Sequence, residues 1–247
     1  MKFSEKIKNR IDNDRNYKLI IANDKILSKY YVDTIVNQPS LFDHRLYAGY
    51  DTKEAILHLD KNTAIKSSNS WHKIRFFFDD FKNPYLESLS DSLNFCMYFE
   101  SWKKDKPSTH EWGYHQTAPG FVVEKIIAPM HNCVKLFVFH GRVQYIWIQT
   151  YDISEKKLNI VNAAMYDRRY KFIDEKWLDI DNKNIGVPVN IKEMISISEK
   201  IGAEWDFIRV DFMYHDDKIY FSELTPYAAG GTNGFSEEFD KIMGEWW

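Results

Sequence analysis

Hydrophobic and polar positions change rhythm along this chain, and each change marks an element. The first 36 residues keep a helical spacing. Asn23 is placed to cap a helix over 24–36, with Ile26, Tyr30 and the Asp33-Thr34 pair marking its turns. A short β-like stretch, Thr63-Ala64-Ile65-Lys66, runs into a polar loop. Residues 121–127 read as a buried strand. A hairpin follows, 134–139 against 143–148, turning at His140-Gly141-Arg142. Asn190 with Glu193 makes a capping-box pattern for a helix whose face is Ile191, Met194, Ile195, Ser198 and Ile201, with Gly202 just past its end. Strand-like and helix-like stretches alternate with no repeat or linker between them, so the expected fold class is α+β or α/β.

The segment 206–231 carries the chemistry. Residues 207–214 alternate with period two, Asp216-Asp217-Lys218 is a turn signal, and 219–225 returns. A three-residue turn puts Met213 opposite Phe221, Asp211 opposite Glu223 and Arg209 opposite Thr225 on one face. The other face then pairs Tyr214 with Tyr220 and Val210 with Leu224. A two-residue turn scatters the polar groups over both faces, so the pattern favours the longer one. Two carboxylates directly opposite each other repel unless a cation lies between them. Hard oxygen donors beside an arginine suit Mg²⁺ shared with a phosphate; a solvated, weakly repelling hairpin face is the plainer alternative.

Composition narrows the function. Thirty-three Lys and Arg against 36 Asp and Glu leave a net charge of −3, which argues against nucleic-acid binding. A 44% hydrophobic content excludes disorder. No apolar run approaches the ~18 residues of a membrane span, and charged residues follow Met1-Lys2-Phe3 at once, so no signal peptide is expected. Cys96 and Cys133 are too few for a disulfide framework or a cysteine-based zinc site, and fit a reducing cytoplasm.

Several weaker motifs are set aside. His110-Glu111-Trp112-Gly113-Tyr114-His115 has its histidines too far apart for one helix face and reads as a loop. Asp179-Ile180-Asp181 could serve a metal-dependent glycosyltransferase, but an exposed turn is the simpler reading. The aromatic load of 16% is mostly core, although sugar stacking by Trp71, Trp102, Trp112, Trp246 or Trp247 is an alternative. No serine or cysteine nucleophile has a local signature.

Arg209-Val210-Asp211, the turn, Phe221-Ser222-Glu223-Leu224-Thr225-Pro226 and Gly230-Gly231 resemble the C-terminal core of ATP-grasp ligases of the D-alanine–D-alanine ligase type. The pattern looks closest to the TupA-like ATP-grasp family of bacterial surface-polysaccharide biosynthesis. Phe3, Glu5, Lys6, Asp14-Arg15-Asn16 and Asp24-Lys25 resemble that family's N-terminal signature. Glu124-Lys125-Ile126-Ile127 and residues 134–141 resemble its hinge strand and the following hairpin.

The resemblance implies an α+β ATP-grasp fold, two lobes with the nucleotide between them. It divides the chain into an N-terminal helical segment (1–50), a smaller lobe (51–127) and a larger catalytic lobe (128–247). It further implies Lys25, Lys66 and Lys135 as nucleotide-binding residues, with Lys25 and Lys66 on the phosphates. By the same resemblance, backbone groups of Glu124, Lys125, Ile126 and Ile127 would hold adenine. Asp211, Glu223 and Thr225 would hold Mg²⁺, Thr225 standing where many relatives carry Asn. Arg209, with Lys66, would serve the transferring phosphoryl group. The implied reaction is ATP-dependent carboxylate–amine ligation through an acyl phosphate, joining an amine or amino acid to a sugar carboxylate in capsule assembly. The implied partners are those two substrates and membrane-bound assembly enzymes. A glycosyltransferase of the same pathway and a nucleotide-binding subunit without catalysis are the alternatives. No glycine lies between Gly49 and Gly113. The phosphate-covering loop after Lys66 is therefore expected to use the hydroxyls of Ser67, Ser68 and Ser70 and the Lys73 ammonium rather than close backbone approach.

Overall fold

The structure is a computed structural model. It describes residues 1–70, 73–83, 89–105, 107, 110–154, 158–175, 182–232 and 234–247. Trp71 and the Asp179-Ile180-Asp181 motif lie outside the described residues. Two antiparallel sheets organise the chain. The smaller contains β1 (Arg45–Gly49), β2 (Thr63–Ser67), β3 (Ile74–Phe77) and β4 (Phe121–Lys125), in the order β1-β4-β2-β3. The larger contains β5 (Met130–Phe139), β6 (Arg142–Asp152), β7 (Asn159–Asp167), β8 (Phe172–Ile173), β9 (Phe207–His215) and β10 (Lys218–Thr225), in the order β10-β9-β5-β6-β7-β8.

Each sheet has its own apolar core. Ile65, Phe77, Phe99, Phe121 and Val123 fill the smaller, which α4 (Thr52–Leu57) and α5 (Leu89–Lys104) cover. The larger core explains why 136–139 reads as an unbroken apolar run. α7 (Ile191–Gly202) packs against β5, β6 and β9, while Phe3 of α1 (Phe3–Asn13) meets Phe137, Phe139 and Phe207 edge-on. A strand buried on both faces has no polar alternation to show.

The N-terminal helices hold the β9–β10 end of the larger sheet. The buried Arg10 guanidinium donates to the carbonyls of Phe207 (2.9 Å) and Pro226 (3.0 Å), one at the start of β9 and one just past β10. α2 (Tyr17–Asn23) and α3 (Lys25–Val36) follow in one run broken only by Asp24. Asp24, not Asn23, caps α3: its carboxylate accepts from the backbone N–H of Ile26 and Leu27. Asn23 instead ends α2. Tyr30 is exposed, and the buried face of α3 is Ile26, Ser28, Lys29 and Val32.

Two other expectations are corrected. The helix from Ile191 forms, with all five expected face residues buried, but without a capping box: the Asn190 amide donates to the carbonyl of Asp217, and Glu193 accepts from Gln38. Gly202 is the last helical residue rather than a cap beyond the end. Its missing side chain admits β5, since a Cβ there would lie 2.4 Å from Val138 Cγ1. The β9–β10 turn is two residues, Asp216 and Asp217, both left-handed (φ 47° and 57°). Met213 therefore faces Tyr220 and Phe212 faces Phe221, against the expected Met213–Phe221 and Tyr214–Tyr220 pairs. A bulge between Phe221 and Glu223 then restores the expected register, pairing Glu223 with Asp211, Leu224 with Val210 and Thr225 with Arg209. The extra residue of the bulge does what the longer turn was expected to do. The β5–β6 turn is likewise shorter, His140-Gly141, and a bulge follows at Phe137/Val138.

Candidate active site

A cleft lies between the two sheets, walled by strands of both and by α3. β2 supplies Ala64 and Lys66, β4 supplies Glu124 and Lys125, and α3 supplies Lys25 and Lys29. Across from them β5 supplies His131, Cys133 and Lys135, β9 supplies Asp211, and β10 supplies Ser222 and Glu223. The apolar lining of the cleft is Phe76, Ile126, Ile127, Ile153 and Leu158, with Ile74 beside Lys66 on the neighbouring strand; the rest of the lining is strongly charged. Backbone that leaves β4 at Ile126 and Ile127 borders the apolar lining, as a flat heterocycle would need.

In the charged lining the paired carboxylates are not bare. Asp211 is fully buried, and Arg209 grips it with two bonds, Nε to Oδ1 at 2.7 Å and Nη2 to Oδ2 at 2.6 Å. Lys135 adds a third at 2.9 Å. Burial works against the Asp211 carboxylate, but these two cations prevail and hold it below its ordinary range. The repulsion expected between Asp211 and Glu223 is thus relieved by the protein's own cations. Glu223 is the open member: 36% of its side chain is exposed, and its nearest cation, Arg209 Nη2, is 3.9 Å away. Thr225 Oγ1 accepts from the same Nη2 at 3.1 Å.

A second ionic centre sits on the opposite wall. The Glu124 side chain is buried and binds Lys29 and Lys66, each at 2.7 Å, while His44 Nε2 lies 3.2 Å away. Burial opposes the Glu124 carboxylate, yet Lys29, Lys66 and His44 bring it well below the usual range. Burial likewise opposes the Lys66 ammonium, and Glu124 more than offsets it. The Lys25 and Lys29 ammoniums are pushed down by burial. Sequence reasoning assigned Glu124 only a backbone role and missed Lys29. The signal was present: Lys29 stands between Ile26 and Val32 at three-residue spacing, on the buried stripe of α3. His131 was also missed. Its Nδ1 faces the carbonyl of Ala128 at 3.1 Å, and burial lowers its pKa.

The glycine-free loop is built otherwise than expected. Ser67 Oγ donates to Asn69, and Ser68 Oγ joins the carbonyl of Ala118 to the N–H of Gly120. Those hydroxyls hold the loop itself. Lys73 lines the cleft but donates to the Trp102 carbonyl and pairs with Asp105 at 2.9 Å. Ser70 accepts from Lys25 through its carbonyl and lines the cleft. The Ser68 carbonyl accepts from Lys25 N–H at 3.0 Å, which fixes the start of α3 to the end of β2.

Among the described residues, no group of three or more His, Cys, Asp or Glu side chains is arranged to hold a metal ion. The donor set nonetheless suits Mg²⁺, which takes one or two carboxylates and completes its shell with water and phosphate oxygens. Glu223 is open, and three donors on Asp211 leave part of its lone-pair capacity unused. Among the described residues no helix is long and apolar enough to cross a membrane.

No curated protein matches the chain in sequence. Among solved structures it is similar to the L-amino acid ligase of Bacillus licheniformis: TM-score 0.50, 11% identity, 85% of this chain and 44% of that one. It is also similar to the D-alanine–D-alanine ligase of Bacillus anthracis: TM-score 0.47, 16% identity, 91% of this chain and 63% of that one. The chain thus spans less than two thirds of either enzyme, and at 11% identity the likeness to the L-amino acid ligase is one of fold alone. The family model for TupA-like ATP-grasp proteins matches residues 5–247. With almost its whole length matched, the chain belongs to the TupA-like ATP-grasp family and has the ATP-grasp fold.

Proposed function

We propose that this chain is an ATP-dependent carboxylate–amine ligase that forms an amide through an acyl phosphate. The observation that carries the reading is the lining of the cleft. Ile126 and Ile127, where the chain leaves β4, share one cavity with Lys25, Lys66, Lys135, Asp211 and Glu223. That combination suits a nucleotide with its base against the apolar lining and its phosphates on the charged strands. Residues 1–50, 51–127 and 128–247 serve in this reading as N-terminal segment, smaller lobe and larger lobe.

Lys25 and Lys66 bind phosphate oxygens, Lys66 exchanging Glu124 for the nucleotide while Lys29 keeps Glu124 neutralised. Arg209, oriented by Asp211 and Thr225, donates to the phosphoryl group as charge builds on it. Lys135 fixes Asp211 from the other side. Mg²⁺ held by Glu223 and Asp211 would neutralise phosphate charge. The carboxylate substrate is a sugar acid and the nucleophile an amine or amino acid, in surface-polysaccharide assembly. The need for ATP suits the cytoplasm, and contact with membrane-bound assembly enzymes would deliver the acceptor.

The test is ADP release by the purified chain with Mg²⁺-ATP, uronic acids and amines, with the amide identified by mass spectrometry. Amide formed in step with ADP supports the ligase. Thermal stabilisation by UDP-sugars and none by Mg²⁺-ATP would favour a glycosyltransferase, and ATP binding without turnover a non-catalytic subunit.

A further inference from the structure

Lys29 belongs to neither sheet, yet its ammonium touches both. It stands on the buried face of α3 with 1% of its surface exposed, and it lines the cleft. From there Nζ pairs with Glu124 of β4 at 2.7 Å and donates to the Ser222 carbonyl of β10 at 3.1 Å. A buried ammonium is costly unless it is paired and hydrogen-bonded, and a methionine would fill the same space without that cost. The other lysine of α3 is placed differently. Lys25 donates to the Ser70 carbonyl and lies 6.0 Å from the ring of Tyr114 on α6 (Trp112–His115).

Both contacts of Lys29 fall where the cleft is made. The second oxygen of Glu124 holds Lys66. Ser222 is the extra residue of the β10 bulge: Phe221 pairs with Phe212 and Glu223 with Asp211, leaving Ser222 opposite neither. Without the bulge, the Phe221–Phe212 register would run on to set Ser222 opposite Asp211 and turn Glu223 to the other face. The bulge thus decides whether Glu223 stands beside Asp211, and Lys29 holds the carbonyl at its centre.

We propose that Lys29 is a positioning residue that ties the two walls together: through Glu124 it releases Lys66 to the nucleotide, and through Ser222 it keeps Glu223 beside Asp211. This rests on the nucleotide reading above and adds to it a dependence of each wall on one side chain. With Lys29 present, Lys66 can leave for a phosphate oxygen while Glu124 keeps a lysine at 2.7 Å and His44 Nε2 at 3.2 Å. Without Lys29, the same move would strip a buried carboxylate of its remaining lysine, so Lys66 would stay on Glu124. On the other wall Lys29 acts on backbone, not on the Glu223 carboxylate. Its loss there misplaces Glu223 and removes no charge from it.

The experiment measures ATP and adenosine binding by calorimetry, in EDTA and in Mg²⁺, for the unaltered chain, Lys29→Met, Glu124→Gln and the double variant Lys29→Met/Glu124→Gln. Lys66 and His44 stay on Glu124 in Lys29→Met, so its fold should hold. In EDTA its ATP affinity should fall about tenfold or more, because leaving a buried carboxylate without a lysine costs more than a tenfold change in affinity. Adenosine affinity should barely change. Removing the carboxylate as well frees Lys66, so the double variant should regain ATP affinity close to the parent's in EDTA. It should not regain the tightening by Mg²⁺, which should be as weak as in Glu223→Gln, since the Ser222 carbonyl still lacks its donor. Glu124→Gln, with Lys29 kept, should show both, and it carries the comparison with the double variant if Lys29→Met does not fold. A merely structural role would lower both ligands together and would not be reversed by a second buried substitution. Equal losses for ATP and adenosine, no recovery in the double variant, or full Mg²⁺ tightening in the double variant each overturns the proposal. No ATP binding, or none tightened by Mg²⁺, in the unaltered chain would instead overturn the nucleotide reading itself.

Discussion

Lys66 reaches across from β2 to β4 and closes a 2.7 Å ion pair with Glu124, whose other carboxylate oxygen lies 2.7 Å from Lys29. One buried carboxylate thus neutralises two ammoniums. Its loss would leave both uncompensated in a desolvated setting. Glu124→Gln is expected to cost about 3–5 kcal/mol of folding stability, the range for breaking a buried ion pair from one side. The folded-state pKa of Glu124 is depressed, so its contribution is complete above the ordinary glutamate value of ~4.3 and fades as pH falls through the folded value. Denaturant titrations across acid pH should therefore show a steeper loss in the unaltered chain than in Glu124→Gln. Parallel slopes would contradict the ionic assignment.

Lys66 itself is expendable to the fold because Lys29 remains on Glu124. Lys66→Ala should keep its thermal midpoint close to that of the parent and bind ATP at least tenfold more weakly. Adenosine affinity should barely change, since only the phosphates lose a partner. Calorimetry with both ligands decides the point, and equal losses would mean that Lys66 shapes the cleft instead.

The two facing carboxylates should respond in opposite ways. Asp211→Asn strands Arg209 and Lys135, both buried, and should destabilise by about 3–5 kcal/mol. Glu223→Gln removes a half-exposed charge 3.9 Å from its nearest cation and should shift stability by less than about 1 kcal/mol. Its effect should appear instead as lost Mg²⁺-dependent ATP consumption. Thermal melts of the two variants side by side test the asymmetry. A pair that merely repelled would gain stability from either substitution.

That asymmetry shows what the sequence could and could not carry. The alternation in β9 and β10 was enough to set Asp211 against Glu223. It could not reveal that Asp216 and Asp217 both take left-handed φ, or that a bulge after Phe221 repairs the register. Turn length and bulge compensate each other, so the wrong turn still led to the right pair. Lys135 on Asp211 and Lys29 on Glu124 join partners 76 and 95 residues apart, from positions read off the chain. Such contacts depend on strand order, which no local pattern encodes. Apolar runs such as 136–139 were legible because burial on both faces leaves a contiguous mark.

Gly202→Ala tests a packing contact. Helix propensity alone would make the substitution favourable by about 1 kcal/mol. The new methyl would, however, lie 2.4 Å from Val138 Cγ1 and 3.1 Å from its Cβ, in the buried seam between α7 and β5. Overpacking of this kind costs roughly 1–3 kcal/mol, so a net loss is expected. Val138→Ala in the same chain should recover part of it by making room. A rise in stability in the single variant would show that α7 can shift away from the sheet freely.

Ser68 gives the last contrast, between a loop that grips phosphate and one that holds itself. Its hydroxyl accepts from the buried Gly120 N–H at 2.9 Å and donates to the carbonyl of the exposed Ala118 at 3.2 Å, with Ser68 itself buried. Ser68→Ala leaves the Gly120 N–H without that acceptor, and an unsatisfied buried donor costs about 1–3 kcal/mol. Stability should fall by that amount while ATP affinity, measured well below the melting transition, stays within about twofold. The Ser68 carbonyl, which receives the Lys25 N–H, is kept in the variant, so the start of α3 should not move. If ATP affinity falls steeply with no change in stability, the hydroxyl has turned to the nucleotide when it binds, and the loop after Lys66 is a phosphate cover after all.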